Sequence, residues 1–389
     1  MKKKRKVCIV INSRANYGRV KSLLKAIKKS KNLELQLIVG ASATLYRYGS
    51  VDQIIKRDGF KITQQFCSIL EGENLLTMTK SLGHTVNELS TIFDRIKPDV
   101  VFVIADRYEN LAVAIVSSYM NIFLAHIQGG EVSGSIDEKV RHAITKLSDL
   151  HFPATKRAKK FLIKMGETSN SVYLTGCPSI DLISLLKNKK IDSQLLNKKG
   201  SGCEISLKDE FIVVLQHPVT TEYSLSKKHI SETIKAIKNL TKKTKIKILW
   251  LWPNIDAGSD VFSKEIRLLK EEKNNSIRFV RNFNPEDYLI VLKNSKMIIG
   301  NSSSGIREGS FLGIPSVNIG SRQQNRERGP NVIDVNYDSN SILRAIFKQL
   351  DQKYESSKIY GDGNAGKKIS KIIGKVDLKL KDKLNYLKS

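Results

Sequence analysis

Cysteine is scarce in this chain of 389 residues, and its four cysteines lie far apart at Cys8, Cys67, Cys177 and Cys203. They form neither a CxxC motif nor a cysteine–histidine spacing. A structural zinc site needs such closely spaced ligands, and a disulfide scaffold needs a denser set of cysteines. We therefore expect no bound metal, no disulfide framework and a reducing compartment.

Long apolar runs are also missing. The basic N-terminus MKKKRKV leads into an apolar run that covers only residues 7–11, and Asn12, Ser13 and Arg14 follow it directly. This run is too short for the core of a signal peptide, and a bilayer span needs roughly 20 apolar residues. We therefore expect a soluble, cytoplasmic protein without a membrane partner.

Acidic residues are few relative to basic ones: 38 against 66, which gives a formal net charge of +28. Such a surplus raises the possibility of nucleic acid or an anionic surface as a partner. The lysines are nevertheless spread along the chain on the polar faces of predicted helices, as at Lys21, Lys25 and Lys28, and no basic motif is interleaved with aromatic residues. The pattern favours a solvated lysine-rich surface and no nucleic-acid partner.

The chain alternates short apolar runs with amphipathic segments. Buried strands are predicted at 7–11, 35–39, 100–104, 122–127, 150–153 and 172–175, and a long helix at 75–96. A second series of strands begins with FIVVLQH and continues through IKILWLW, IRFV, KMIIGN and PSVNIG. Strands alternating with helices twice over indicate an α/β protein with two doubly wound parallel sheets.

A change of composition separates the two series. Residues 188–208 contain few large apolar side chains and a GSG, which is typical of a linker. We therefore predict a first domain at 1–187, a second at 209–365, and a lysine-rich helix at 366–389 that packs back on the first domain.

Open α/β sheets bind ligands beyond the carboxyl ends of their strands, and the polar clusters of both halves follow strands. GNSSSGIREG offers Ser302, Ser303 and Ser304 to a diphosphate and Glu308 to ribose hydroxyls, although serine at this position also caps helices. SRANYG places Arg14 either as a phosphate clamp or as an ordinary surface arginine.

Three further clusters carry candidate acids and bases. DRYEN offers Asp106 as a general acid or base or as a helix cap, with Arg107 beside it. The glycine-rich HIQGGEVSGSID carries Glu131 and Asp137, either for the removal and return of a carbon-bound proton or as solvent-facing and capping acids. QHP places His217 at a strand end, where it either binds phosphate or is structural.

The ordered set of segments resembles a known family. SRANYG, ADRYENLA, HIQGGEVSGSIDEKVRHAITKL, GCPSIDL, QHPVTTEY, LWPNIDAGS and GNSSSGIREGSFLGIPSVNIGSRQQNRERGPNVIDV are similar to segments of the UDP-N-acetylglucosamine 2-epimerases, over about residues 5–350. The GGEVSG…ID segment is similar to the hydrolysing branch, which begins sialic-acid synthesis. The resemblance implies the glycosyltransferase-B architecture of two Rossmann-like domains with a cleft between them, and a homodimer or homotetramer.

The resemblance also implies a reaction without a cofactor. UDP-GlcNAc and water give N-acetylmannosamine and UDP: UDP is eliminated as the proton at sugar C2 leaves, and the resulting 2-acetamidoglucal is hydrated. The resemblance places Asp106 and Asp137 on catalytic carboxylates and His217 beside the diphosphate. The residues that it places on positions that bind or support the substrate are Arg14, Arg107, Arg141, His142, Ser302, Ser303, Glu308 and Arg322.

One position departs from the family pattern. Where the better-known members read HIEGG, this chain reads HIQGG, so Gln128 replaces a glutamate with an acid/base role. An amide positions a ligand by hydrogen bonding but does not exchange a proton at neutral pH. Either Glu131 or another carboxylate takes that step, or the enzyme is slower, or it acts on a different sugar.

Other functions stay open at this point. A close variant would act on UDP-2,4-diacetamido-2,4,6-trideoxyglucose, on the route to legionaminic acid. A glycosyltransferase of the same architecture would need an acceptor site, and the carboxylate-rich loop speaks against it. A non-catalytic UDP-sugar-binding protein would be consistent with Gln128.

Overall fold

The computed structural model describes residues 3–46, 50–72, 74–186, 194–254, 256–272 and 274–378. Its first sheet has six strands: β1 (Arg5–Ile11), β2 (Leu33–Val39), β3 (Gln64–Gln65), β4 (Val100–Ile104), β5 (Phe123–Ile127) and β6 (Leu150–Phe152). They pair in the order β3-β2-β1-β4-β5-β6, and every pair is parallel.

Seven helices accompany this sheet: α1 (Arg14–Lys29), α2 (Val51–Arg57), α3 (Leu75–Ile96), α4 (Tyr108–Tyr119), α5 (Ile136–Leu147), α6 (Lys156–Lys164) and α7 (Pro178–Leu185). Strand β1 shows why the sheet is covered on both faces, because its side chains alternate between two cores. Ile9 and Ile11 pack with α1 and α2, whereas Cys8 and Val10 pack with α3 and α4.

The second sheet has seven strands: β7 (Ser201–Gly202), β8 (Phe211–Leu215), β9 (Lys247–Leu251), β10 (Ile277–Val280), β11 (Met297–Gly300), β12 (Ser316–Ile319) and β13 (Val332–Val335). Their order is β13-β12-β11-β8-β9-β10-β7, and only β7 is antiparallel to its neighbour. The helices of this half are α8 (Ser226–Lys243), α9 (Ser259–Glu271), α10 (Pro285–Asn294), α11 (Ser303–Ile306), α12 (Glu308–Leu312), α13 (Ser339–Gln349) and α14 (Ala365–Ile373). The predicted α/β class with two parallel sheets is confirmed.

Three segments differ from the sequence-based expectation or extend beyond the described residues. The strand predicted at 172–175 is wrong: Val172 makes a single bridge to His151, and no strand follows. In the segment expected to be a linker, residues 188–193 lie outside the described residues. The rest of the segment forms β7 and buries Leu196 against the second sheet. Helix α14 packs on the first half through Ile369 and Ile373, but the helix predicted at 366–389 is wrong beyond Ile373, since residues 374–378 are not helical; residues 379–389 lie outside the described residues.

The carboxyl ends of the two sheets face each other across a cleft. In each sheet the chain reverses the order of its strands at one point, between β1 and β4 in the first and between β8 and β11 in the second. Ligands of open α/β sheets bind at such points. An ion pair between Lys21 on α1 and Glu286 on α10 crosses from one half to the other, so the fold places two binding edges opposite one another.

In the part of the chain that the structure describes, no helix is long and apolar enough to cross a membrane.

Candidate active site

A buried ion pair lies at the end of β4. Asp106 follows Ala105, whose backbone is left-handed with φ of 60°, and its Oδ2 accepts a hydrogen bond from Nη2 of Arg141. Burial opposes ionisation of Asp106, but the positive charges of Arg141 and Arg19 hold the pKa of its carboxyl well below the usual range. Because Arg107 occupies the cap position of α4, Asp106 does not cap that helix.

Arg141 is fully buried on α5 and, besides Asp106, holds two acceptors in the glycine-rich loop. Its Nη2 also donates to Ser133 Oγ at 3.1 Å, and its Nη1 donates to the carbonyl of Glu131. A buried guanidinium needs such acceptors, since an unpaired one carries a large desolvation cost. Arg141 therefore fixes the glycine-rich loop relative to Asp106.

The Glu131 side chain is held from the other side of the cleft. Its Oε2 accepts hydrogen bonds from Arg307, after β11, and from Arg326, after β12. Its Oε1 is buried without a hydrogen-bond partner among the described residues. Although burial raises the pKa of this carboxyl, the two arginines lower it overall, so Glu131 is an anion at neutral pH.

Gln128 lies directly after β5, fully buried and with a left-handed backbone at φ of 68°. Its Oε1 accepts from Nη1 of Arg307, and its Nε2 donates to Cys177 Sγ at 2.8 Å. The amide therefore bridges the two halves of the chain, and it shares Arg307 with Glu131. A left-handed conformation costs a non-glycine residue about 1–2 kcal/mol, which this packing must offset.

Asp137 lies in the first turn of α5, where Ser135 serves as the cap. Its side chain is 29% exposed, and its Oδ2 lies 3.5 Å from Nη2 of Arg322 in the second half. Burial and the neighbouring charge of Asp106 raise the pKa of Asp137, while Arg322 partly opposes them. Asp106 and Asp137 thus form a pair of carboxyl groups with oppositely shifted pKa values.

His217 follows β8 and is held in one tautomer. Its Nδ1 accepts a hydrogen bond from the backbone N–H of Asn254 at 3.1 Å, which assigns the ring proton to Nε2. Asn301 fixes the backbone of His217 through two hydrogen bonds of 2.7 and 2.8 Å. Burial, helped by the charge of Arg322, lowers the pKa of His217 well below its usual range, so the imidazole is a neutral donor.

A pocket of about 150 Å³ lies between the two edges. Its apolar lining comes from Leu215, Leu251, Phe283 and Leu289. Its polar lining includes Arg19 and seven residues that the sequence analysis singled out: Arg14, His217, Ser302, Ser303, Ser304, Glu308 and Arg322. A larger cavity of about 970 Å³ adjoins it and shares Arg14 and Asn254 with it.

The serines of this pocket are already engaged with the protein. Ser302 Oγ accepts from the backbone N–H of Ser304 at 3.3 Å and so caps the short helix α11, as the capping alternative anticipated. Ser303 Oγ accepts from Nη2 of Arg19 at 3.0 Å. The Glu308 carboxylate has no recorded hydrogen bond within the described residues and faces the pocket.

Two predicted arginines also connect the halves. Arg14 donates to the carbonyl of Arg281 at 3.0 Å and to Asn282 Oδ1 at 2.9 Å. Arg107 pairs with Glu109 at 3.1 Å and, across the cleft, with Asp256 at 2.8 Å. Both guanidinium groups therefore lie in the cleft, not on the outer surface.

His142 is not brought to the pocket. Its Nε2 lies 3.6 Å from Glu138 Oε1, and its Nδ1 is buried without a partner among the described residues. Arg141, by contrast, donates a hydrogen bond to Asp106. The structure thus separates these two adjacent residues, which the resemblance had treated together.

Three residues near the site were not singled out from the sequence: Arg19, Asp256 and Arg326. Arg19 lies five residues after Arg14 on α1, a spacing that does not place two side chains on one helix face, so helical periodicity did not reveal it. Arg326 and Asp256 act through partners in the other half, Glu131 and Arg107. No local sequence pattern identifies such partners.

Comparisons with known proteins agree with one another. The family model described as UDP-N-acetylglucosamine 2-epimerase matches residues 25–374. A Legionella pneumophila protein named UDP-N,N'-diacetylbacillosamine 2-epimerase (hydrolyzing) is 33% identical over 375 residues, 96% of this chain and 97% of that protein. A Neisseria meningitidis protein named UDP-N-acetylglucosamine 2-epimerase is 33% identical over 362 residues, 93% of this chain and 92% of that protein.

The fold has solved counterparts as well. The crystal structure of the Methanocaldococcus jannaschii UDP-GlcNAc 2-epimerase in complex with UDP-GlcNAc and UDP superposes with a TM-score of 0.79. The two chains are 20% identical, and the match covers 95% of this chain and 99% of that one. This likeness establishes the fold.

Proposed function

This chain belongs to the UDP-N-acetylglucosamine 2-epimerase family, and we propose that it is a hydrolysing member that converts UDP-GlcNAc and water to N-acetylmannosamine and UDP. The observation that carries the proposal is the meeting of two features in one cleft. The pocket lined by His217 and Arg322 adjoins the carboxyl pair Asp106 and Asp137, because Arg322 contacts both the pocket and Asp137.

The pocket suits the nucleotide end of such a substrate. The neutral Nε2–H of His217 donates to the diphosphate, and Arg14 and Arg322 supply positive charge. The hydroxyls of Ser302, Ser303 and Ser304 add donors, and Glu308 accepts from the ribose hydroxyls. The apolar side of the pocket buries the uracil ring.

The carboxyl pair suits the sugar end. In the proposed elimination, the C2–H bond breaks, a carboxylate takes the proton, and the electron pair forms the C1–C2 double bond as the C1–O bond breaks and UDP leaves. Water then adds its oxygen to C1, and a proton returns to C2 on the opposite face. Asp106 and Asp137 are proposed for these transfers, and the raised pKa of Asp137 suits it to carry a proton near neutral pH.

The remaining predicted residues have supporting roles in this proposal. Gln128 contributes hydrogen bonds and no proton. Arg141 orients Asp106, and Arg107 helps to bring the two halves together through Asp256. His142, which lies away from the pocket, supports only the helix that carries Arg141.

Several broader expectations accompany the proposal. Elimination and hydration change no overall oxidation state, so the reaction requires no redox cofactor, and we propose none. We also retain a homo-oligomer, a cytoplasmic location and the division into domains at 1–187 and 209–365 as proposals. The division places the first sheet in one domain and the second sheet, apart from β7, in the other.

A second substrate is supported by the comparisons. The relative that acts on UDP-N,N'-diacetylbacillosamine is as similar to this chain as the one named for UDP-N-acetylglucosamine. The same elimination and hydration would apply to UDP-2,4-diacetamido-2,4,6-trideoxyglucose, which differs only away from C1 and C2. The substitution at Gln128 gives a reason to test both sugars.

The proposal is tested by incubating the purified protein with each UDP-sugar and separating UDP, UDP-sugar and free sugar by anion-exchange chromatography. We expect UDP and N-acetylmannosamine in equal amounts from UDP-GlcNAc. An Asp137→Asn variant should lose at least about 100-fold in rate, since it removes a proton-transfer group.

The other outcomes discriminate among the alternatives. Accumulation of UDP-N-acetylmannosamine would identify a non-hydrolysing epimerase. Turnover of only the diacetamido sugar would assign the second substrate. UDP binding without turnover of either sugar would contradict the proposal and favour a binding protein.

A further inference from the structure

Glu131 is the point at which the second half of the chain holds the glycine-rich loop of the first. Arg307 and Arg326 approach its Oε2 from two different loops of the second sheet, and all three side chains are at most 4% exposed. Two guanidinium groups that share one buried carboxylate oxygen form a strong, oriented contact. The contact exists only when the two halves are close together.

The backbone of Glu131 continues the connection toward Asp106. Its carbonyl accepts from Nη1 of Arg141, and Nη2 of the same guanidinium donates to Asp106 Oδ2. Arg141 therefore links the glycine-rich loop, which the second half holds, directly to Asp106, a proposed catalytic carboxylate. A displacement of Glu131 would remove an acceptor from Arg141 and change how Arg141 presents Asp106.

The backbone of the loop is tightly packed at its glycines. A Cβ at Gly130 would lie 2.4 Å from the carbonyl oxygen of Ala158, and a Cβ at Gly129 would lie 2.8 Å from Nδ1 of His126. These close approaches allow only glycine and hold the backbone against the first half. Toward the second half, Gln128 and Glu131 contact Arg307 and Glu131 also contacts Arg326, while a Cβ at Gly134 would lie 2.0 Å from the carbonyl oxygen of Ser321.

The same geometry removes Glu131 from proton transfer. Its side chain is at most 4% exposed, whereas that of Asp137 is 29% exposed. One of its carboxylate oxygens is occupied by two arginines, and the other is buried. A general acid or base must reach the reacting proton within hydrogen-bond distance.

We propose that Glu131 is a positioning residue that transmits closure of the cleft from Arg307 and Arg326 to Asp106 through Arg141, and that it transfers no proton. This inference rests on the proposed 2-epimerase function. It also bears on which carboxylate performs the acid/base step that Gln128 cannot perform. On this proposal Asp106 and Asp137 carry out the proton transfers, and Glu131 does not.

The first test is Glu131→Gln, which keeps the size of the side chain and removes its charge. We expect kcat for UDP release from UDP-GlcNAc to fall about 10- to 100-fold, because a misplaced catalytic group costs rates of this order. The pH–rate profile should keep both of its limbs. Glu210→Gln is the matched control, since Glu210 pairs with Lys296 on the outer surface and is 64% exposed; its kcat should equal that of the wild type.

Two results would overturn the inference. Loss of one limb of the pH–rate profile in Glu131→Gln would show that Glu131 itself exchanges a proton. An unchanged kcat would show that the contact has no role in the reaction.

A second variant weakens the same contact from its other side, so that the test does not depend on whether Glu131→Gln folds. Arg326→Lys keeps the charge and loses the planar fork, so we expect a smaller decrease in kcat. The double variant Glu131→Gln/Arg326→Lys should be about as slow as Glu131→Gln alone, because both changes break the same contact. Additive losses would contradict a shared role.

Hydrogen exchange with UDP alone tests closure without turnover. We expect UDP to slow amide exchange in the loop at 128–133 of the wild type and to slow it much less in Glu131→Gln. If the wild type shows this protection but releases no free sugar, the proposed function fails and the coupling stands. Equal protection in both proteins would overturn the coupling, whatever the activity.

Discussion

At the scale of single residues, the cleft is organised by buried charges that are paired with one another. Asp106 pairs with Arg141 and Glu131 with Arg307 and Arg326, all at or below 9% exposure. Breaking such a pair leaves an uncompensated charge in a medium of low dielectric constant. The Asp106–Arg141 pair therefore stabilises the first half, and the contacts of Glu131 with Arg307 and Arg326 hold the two halves together.

Arg141→Met tests whether pairing of these buried charges stabilises the fold. The substitution leaves Asp106 without its main partner, so we expect the free energy of unfolding to fall by about 3–5 kcal/mol in urea denaturation. Arg344→Met is the control, because Arg344 is exposed and bonds only to Ser341 nearby. It should stay within about 0.5 kcal/mol of the wild type. Equal losses in both variants would refute a special role for the buried pair.

His126 predicts how stability depends on pH. Its Nε2–H donates to the carbonyl of Ala105 at 3.0 Å, and burial lowers its pKa to about 3. Because the folded state then binds fewer protons than the unfolded state, this contribution is fully present above about pH 6.5. It is lost as the pH falls from there toward 3, by up to about 1.4 kcal/mol per pH unit.

We therefore expect the melting temperature to fall between pH 6.5 and 4.5. It should fall less steeply in His126→Asn, because an asparagine at position 126 does not titrate in this range. Parallel pH dependences in the two proteins would show that other groups dominate, such as His217, whose pKa is also lowered.

At the scale of elements, the sequence predicts the central strands well and the edges poorly. Strands such as β4 and β8 are buried on both faces, and their continuous apolar runs identified them. Strands β3 and β7 have two residues each, so no periodicity could reveal them. The run at 172–175 has strand-forming residues but finds only a one-residue pairing with β6.

The C-terminal end of α3 predicts how a glycine substitution affects the stability of the protein. Lys97, at its C-terminal cap, is exposed and left-handed with φ of 46°. Lys97→Gly should therefore stabilise the protein by about 1 kcal/mol, because glycine adopts this conformation without steric cost. Lys29→Gly makes the same exchange in the last turn of α1, where the backbone is helical. It should destabilise by a similar amount, and chemical denaturation that gave both variants the same sign would contradict the argument.

At the scale of the whole molecule, the site is assembled from two halves that the sequence describes separately. The rule that ligands bind beyond strand ends located Asp106, His217 and Ser302 from sequence alone, and the structure brings these segments to one cleft. Their roles in catalysis stay predictions. The cross-cleft partners Arg326 and Asp256 depend on how the two sheets are placed relative to one another, which no local pattern encodes.

Binding of UDP should change the thermal stability of the whole molecule. A ligand that binds only the folded, closed molecule stabilises it by mass action, by about 2.7 kcal/mol at a concentration of 100 times Kd. We expect UDP to raise the melting temperature and uridine to raise it much less, because the arginines and His217 of the pocket are proposed to bind the diphosphate. Equal shifts with UDP and uridine would contradict the assignment of these residues.

The measurement that tests the central claim most directly is proton NMR of the purified protein with UDP-GlcNAc in D₂O. The account predicts UDP and free N-acetylmannosamine that carries deuterium at C2, since the proton removed from C2 is replaced from solvent. Free N-acetylglucosamine that retains its C2 proton, or UDP-GlcNAc left intact beside bound UDP, would contradict it.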